Sequence, residues 1–265
     1  MELSKFYDAW KAQDNGGYKY EVNVTGSEGR KPGIHASELS CQRRLTYSLM
    51  NTDRRPPTGP SIVNMRRRFN VGHALHAMTQ HEFKLMCAWL RGSIEFTDEV
   101  GIYPELGGVA QQYIMYSSAD GIFSFIHEGF TYLRVGVEIK TESEKEYDKM
   151  VKPRDEHLEQ TCMYMKSLDL PLLWFVYYNK SNSNFTPSSP PYLIQFDRTL
   201  WDKKVEPRIV GAHQFAQSGQ LPDRTEAFYC RWCPFSWHCQ PPSVNQKRNS
   251  LGPASVAQQP GALRI

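Results

Sequence analysis

Between residues 94 and 140 the chain leaves the helical spacing of apolar residues found on either side and switches to short stretches of strand character. The stretches 94 to 103, 110 to 118, 120 to 127 and 131 to 140 are rich in Val, Ile, Tyr and Phe and are separated by glycine-bearing turns, which predicts four β-strands. Helices are predicted over about 61 to 90, with Gly92 as the stop signal, over 155 to 168, closed by Pro171, and over 199 to 217. Between the last two, "LLWFVYYN" and "YLIQF" read as further strands. Helices, a strand meander, then helix and strand in turn describe an α/β or α+β domain whose mixed central sheet is flanked by helices.

With 265 residues, 40% of them hydrophobic and 12% aromatic, the chain can bury one large core, so one main domain is expected over 36 to 240. Residues 1 to 35 read as an amphipathic helix built on Leu3, Phe6, Tyr7 and Trp10, followed by a polar connection. In "HASELSCQRRLTYSLM" a second helix is predicted, with Ser37 as its N-cap. Residues 241 to 265, made of Gln, Ser, Pro, Gly and Ala with little to bury, read as a disordered tail. No apolar run is long enough to span a membrane, and "MELSKFYDAWKAQD" lacks the form of a secretion signal. The expectation is a cytoplasmic protein, or one of the host cytoplasm if the chain is viral, with no membrane partner. A net charge of +3 does not announce nucleic-acid binding, although Arg43-Arg44, Arg54-Arg55 and Arg66-Arg67-Arg68 concentrate positive charge near the start. The glycine-rich phosphate loop of helicases is missing, so any duplex unwinding would come from another protein.

The strand "LRVGVEIKTES" carries the chemistry. Val135, Val137 and Ile139 share one face, and Gly136, Glu138 and Lys140 the other. A lone Glu-x-Lys is ordinarily a solvent-facing salt bridge, but "YSSADGIFSFIHEGFTYL" stands just before it. A hairpin turn centred near Gly129 would set Asp120 directly opposite Glu138. Opposed carboxylates repel, and a divalent cation is the natural compensation, with oxygen ligands suiting Mg²⁺ or Mn²⁺ better than zinc. Upstream, Gly72 and His76 lie one helical turn apart, where the small residue admits a neighbouring segment. Downstream, His157, Gln160 and Tyr164 share a helix face, which an exposed polar face explains equally well.

The six cysteines are expected to be thiols or metal ligands. Cys230-x2-Cys233-x5-Cys239 needs a fourth ligand, to be found among Cys41, Cys87, Cys162 and His238. Zinc is the generic reading; the proline after Cys233 and the aromatics Trp232, Phe235 and Trp237 also fit a cluster shielded from water. Those aromatics could alternatively stack on bases, with Arg43, Arg44 and Arg231 lining a phosphate groove.

In this order, Gly-x3-His, then Asp, then Glu-x-Lys, then Gln-x3-Tyr, the chain resembles the PD-(D/E)xK nuclease superfamily and its RecB-like branch over about residues 36 to 240. The resemblance implies a restriction-endonuclease-like core in which His76, Asp120, Glu138 and the Ile139 carbonyl hold the metal. Lys140 would position or activate the attacking water, and Gln160 and Tyr164 would contact the DNA strand or orient the site. One cysteine before the histidine helix and three after the last core element are similar to the iron-sulfur subgroup of CRISPR-associated exonucleases and AddB-type nuclease domains. That likeness implies that Cys41, Cys230, Cys233 and Cys239 hold a 4Fe-4S cluster clipping the N- and C-terminal segments, with Cys87 and Cys162 as core residues. The implied activity is metal-dependent exonucleolytic cleavage of single-stranded DNA, 5′ to 3′, in end processing, recombination or repair, viral replication or spacer acquisition. Helicase, recombination or CRISPR-type proteins are the implied partners, and oligomers are known in the subgroup. The alternative is a catalytically weak DNA-end-binding or scaffold subunit that keeps the fold and cluster.

Overall fold

The computed structural model describes residues 30–55, 60–179, 192–225, 230 and 233–239, with side chains from residue 69 onward in the helix that begins at Pro60. The predicted N-terminal helix, the Arg66, Arg67 and Arg68 side chains, Arg231, Trp232 and the predicted tail lie outside the described residues. The chain divides into two units, a larger one up to Thr52 and from Thr58 to Thr225, and a smaller one of Asp53–Pro57 and the chain from Glu226.

In the larger unit, five strands form one mixed sheet in the order β1 (Ile94–Ile102), β2 (Ser117–His127), β3 (Phe130–Glu142), β4 (Leu172–Asn179) and β5 (Tyr192–Gln195). β1, β2 and β3 are successively antiparallel, β4 runs parallel to β3, and β5 is antiparallel to β4. The parallel step needs a crossover, and the helix between β3 and β4 provides it. β4 is buried at every residue after its first, which is why "LLWFVYYN" shows no alternation.

The main helices are α1 (Gln42–Leu49), α2 (Pro60–Trp89), α3 (Asp155–Leu168) and α4 (Glu206–Ser218). Phe83 and Met86 of α2 cover one sheet face, against Phe123, Val137, Ile139, Trp174 and Val176. Met165 of α3 covers the other, against Ile122, Leu173, Phe175 and Tyr177. The far side of α3, with Cys162 and Met163, joins Leu45 of α1 and Ile209 and Ala212 of α4 in a third core cluster. Cys87 and Cys162 are buried within these cores, and burial pushes both thiols up to about 12.

Two sequence expectations are corrected. Residues 110 to 118 are not one strand: Gly108–Gln112 is a short helix, and Met115 makes a single bridge to Ile34 before β2 begins. Ala110 and Tyr113, three apart, both enter the third cluster, a helical spacing that the Tyr and Ile content of the stretch concealed. Ser37 does not cap α1. It lies in a single 3-10 turn, Ala36–Glu38, and the α-helix starts only after Cys41. The break accommodates Glu38, fully buried and paired with Arg30 at 3.3 Å and Arg44 at 3.9 Å. The helix predicted over 199 to 217 is present as Arg198–Leu200, a π-helical turn Trp201–Val205, and α4. Among the described residues no helix is long and apolar enough to cross a membrane.

Gly121 in β2 lets the sheet and Phe96 approach closely, since a Cβ there would stand 2.2 Å from the Phe96 ring and 3.2 Å from the Thr97 carbonyl oxygen. Phe96 is itself locked against Phe83 and Phe123, at centroid distances of 5.3 and 4.8 Å. Gly121→Ala is therefore expected to cost roughly 1–3 kcal/mol by overpacking, read as a lower urea midpoint.

In the smaller unit, Arg55 N–H donates to the Pro234 carbonyl at 2.9 Å, and His238 Nε2 lies 3.2 Å from the Asp53 carbonyl. Arg54 lies over the Phe235 ring at 4.8 Å and Arg55 over Trp237 at 5.5 Å. Phe235 is buried, whereas Trp237 is 53% exposed, so the two aromatics expected to behave alike differ.

Candidate active site

The turn between β2 and β3 is Glu128-Gly129, at φ 51° and 81°, with His127 paired to Phe130. Two successive positive φ values match the twist of the flanking strands, as in the usual two-residue hairpin. An unbroken ladder from that turn would set Asp120 against Val137, on the wrong register for Glu138. A β-bulge intervenes: Ile126 pairs with Thr131 and Phe125 with Leu133, leaving Tyr132 as the extra residue. Beyond it the register is Gly121↔Val137, and one residue further Asp120 lies level with Glu138. The expected opposition is present, reached through a tighter turn and a bulge.

Around this point the predicted residues converge. Asp120 Oδ2 accepts the Ile139 N–H at 2.6 Å, and Oδ1 lies 3.5 Å from His76 Nδ1. Glu138 Oε1 pairs with Lys140 Nζ at 2.5 Å and accepts from Gln160 Nε2 at 3.0 Å. Lys140 also donates to Gln160 Oε1 at 3.2 Å, and the Gln160 amide nitrogen and Tyr164 hydroxyl are 2.6 Å apart. The shared helix face of Gln160 and Tyr164 thus looks into the sheet, not into solvent. Glu138 Oε2 is buried and has no hydrogen-bond partner. Within α2, Gly72 admits Thr141, whose Oγ1 would be 3.4 Å from a Cβ there.

The charges push one another's protonation in definite directions. Burial and the Asp120 charge drive Glu138 up to about 7, against the pull of Lys140. For Asp120 burial works upward, but His76, Lys140 and the Ile139 N–H outweigh it and hold the carboxyl below its usual range. Burial depresses His76 and Lys140, yet Asp120 and Glu138 prevail and leave both above their ordinary values. Burial and the Glu138 charge raise Tyr164 well above its ordinary value.

Among the described residues, no group of three or more His, Cys, Asp or Glu is arranged as a ready-made metal cage. Asp120 pairs with His76 and Glu138 with Lys140, each individually. Cys41 belongs to the larger unit, immediately before α1, and Cys230, Cys233 and Cys239 to the smaller. There, Cys233 N–H donates to the Cys230 carbonyl at 3.2 Å, and Cys239 ends the helical turn Ser236–Cys239. Arg43 is engaged with the Pro222 carbonyl at 3.1 Å, and Arg44 with Glu38, so two of the three expected groove arginines have intramolecular partners, the third, Arg231, lying outside the described residues.

Three residues of this neighbourhood escaped the sequence reading. Gln80 donates to the Asp120 carbonyl at 2.8 Å; its place one turn after His76 was the available signal. Glu99, on the edge strand, accepts from Gln80 at 2.8 Å. Tyr177, level with Lys140 on β4, meets His157 Nδ1 at 2.9 Å; burial, Lys140 and Arg154 push this histidine down to about 3.

No protein-family profile and no curated protein sequence matches the chain. Among solved structures, SSO0001 is similar with a TM-score of 0.45 and 18% identity, over 90% of this chain and 93% of that one. The alkaline exonuclease LHK-Exo from Laribacter hongkongensis gives 0.45 at 13% identity, over 72% and 90%. LHK-Exo in complex with dAMP gives 0.46 at 16% identity, over 71% and 89%.

Proposed function

We propose that this protein is a metal-dependent deoxyribonuclease of the RecB-like, restriction-endonuclease-like kind, acting as an exonuclease on single-stranded ends, 5′ to 3′. The observation that carries the reading is Glu138 Oε2, a buried carboxylate oxygen with no hydrogen-bond partner beside Asp120. Burying a carboxylate costs several kcal/mol unless it is fully paired, which supports a further cationic partner at this oxygen, although the side chains do not stand as a ready-made cage among the described residues. The donors fit Mg²⁺ or Mn²⁺, being hard oxygens with one imidazole. Asp120, Glu138 Oε2, His76 and the Ile139 carbonyl would hold the ion. When bound, it polarises a phosphoryl oxygen and lowers the pKa of its water.

The chain's own residues do the rest. The Glu138 and Asp120 charges raise Lys140 above its ordinary value against the effect of burial. Beside the metal it would position or activate the attacking water and add positive charge next to the developing negative charge on the phosphate. Gln160 spans Lys140 and Glu138 and fixes the angle between them, and Tyr164 holds Gln160 from behind.

A time course on end-labelled single- and double-stranded DNA, with Mg²⁺, Mn²⁺ or chelator, tests the reading. Wild type is expected to shorten single strands only with metal, and Lys140→Ala to be slower by about two orders of magnitude. Equal inertness of both proteins, with equal DNA binding, would establish the scaffold reading instead.

We propose further that Cys41, Cys230, Cys233 and Cys239 hold a 4Fe-4S cluster, a reading supported by their spacing and by the proline and aromatics around them. Anaerobic purification is expected to give a brown protein with broad visible absorption and equal iron and sulfide. A colourless zinc protein would overturn that assignment and leave the nuclease reading untouched. Helicase, recombination or CRISPR-type proteins remain the proposed partners.

A further inference from the structure

Asp120 is gripped by its main chain as well as by its carboxylate. In β1, Glu99 sits at φ 48°, a left-handed conformation that residues other than glycine seldom adopt. The β1–β2 ladder runs from Asp98↔Gly121 to Val100↔Ala119, stepping over Glu99 and Asp120, and the β2–β3 ladder begins only at Gly121↔Val137. Asp120 therefore stands outside both ladders, and its carbonyl needs a donor from elsewhere. Gln80, 6% exposed, supplies it: its Nε2 lies 2.8 Å from the Asp120 carbonyl oxygen and 2.8 Å from Glu99 Oε1. Both amide hydrogens are thereby used. The other oxygen of Glu99 accepts the Ser118 hydroxyl at 3.0 Å, which ties the edge strand back to β2.

We propose that Gln80 is a positioning residue for Asp120, itself oriented by Glu99. The inference rests on the nuclease reading above. His76 and Gln80, at i and i+4 on α2, address the carboxylate and the carbonyl of the same residue, so the helix that carries the imidazole also sets the backbone of the acid it faces. Free rotation of the Asp120 peptide would carry Oδ1 away from His76 and Oδ2 away from the Ile139 N–H. The strained Glu99 backbone frees the Asp120 carbonyl from the ladder and presents the carboxylate that occupies the second Gln80 hydrogen.

The test uses the full chain with Gln80→Met, Glu99→Ala and Glu99→Gln. Mn²⁺ binding is read from the free-ion electron paramagnetic resonance signal, kcat and KM from single-stranded DNA, and folding from the thermal midpoint. Gln80→Met keeps the volume and removes the donors; it is expected to weaken Mn²⁺ binding and lower kcat by about tenfold each, with KM for DNA within about twofold. Glu99→Ala is expected to act in the same direction by about threefold, and Glu99→Gln, whose side-chain oxygen still accepts from Gln80, to restore near wild-type values. Should Gln80→Met fail to fold, the two variants at exposed Glu99 carry the comparison. Wild-type Mn²⁺ binding and kcat in Gln80→Met, with only the midpoint lowered, would make Gln80 a packing residue and overturn the proposal alone. A wild type that neither binds Mn²⁺ nor cleaves DNA would overturn the nuclease reading, and the proposal with it.

Discussion

Glu138→Gln is expected to leave the protein folded and to lower metal-dependent DNA cleavage by two to three orders of magnitude, about 3–4 kcal/mol of lost transition-state stabilisation. Glutamine has nearly the shape of glutamate, and its oxygen can still accept from Gln160 and Lys140, as Glu138 Oε1 does. What changes is the other terminal atom. The partnerless Oε2 becomes an amide nitrogen, which turns hydrogens toward the place where a cation would need an electron pair. The comparison is made on initial rates at saturating Mn²⁺, with circular dichroism to verify folding. A variant that cleaves within about fivefold of wild type would remove Glu138 from the proposed metal site.

The same substitution should reveal a cost that the wild type bears. Glu138 is raised from the ordinary carboxylate range to about 7. Its folded-state pKa thus exceeds its unfolded one, and the stability it contributes is present in full below about pH 4.5 and is lost as pH rises through 7. His76, also raised, loses its contribution in the same direction as it deprotonates. Asp120 is lowered, so its stabilisation disappears only on acidification below the usual carboxylate range, outside this window. Between pH 5 and 8 in chelator, wild type is therefore expected to lose stability relative to Glu138→Gln by roughly 3 kcal/mol, at 1.36 kcal/mol per pKa unit. Melting curves across that range make the measurement. Adding Mn²⁺ at pH 7.5 should raise the wild-type midpoint and leave the variant's unchanged, since only a ligand that binds the folded form stabilises it. Parallel pH profiles, or equal Mn²⁺ shifts, would show that Glu138 is not the strained carboxylate.

Much of the layout was readable from local pattern. Residues 155 to 168 form a helix with those ends, and the apolar run at 172 to 179 forms the doubly buried strand β4. The faces of β3 divide as alternation requires, with Val137 and Ile139 in one core and Glu138 and Lys140 turned toward α3. Local pattern failed where distant contacts prevailed over composition. Residues 108–112 are helical because Ala110 and Tyr113 are needed in a cluster with α3 and α4, and α1 starts late because buried Glu38 is paired with Arg30 and Arg44.

Local pattern is enough to say which residues carry charge, which strand bears Glu138 and Lys140 on one face, and that α2 and α3 can each offer polar side chains one turn apart. These follow from periods of 2 and 3.6 residues, which belong to the backbone alone. Whether they meet depends on register and docking. Only the bulge at Tyr132 brings Asp120 level with Glu138, because a one-residue slip would pair it with Val137 instead. Only the docking of α2 at Asp120 makes Gln80 part of the site. Register and helix docking depend on contacts between residues far apart in the chain, and no local periodicity encodes a separation of 40 residues.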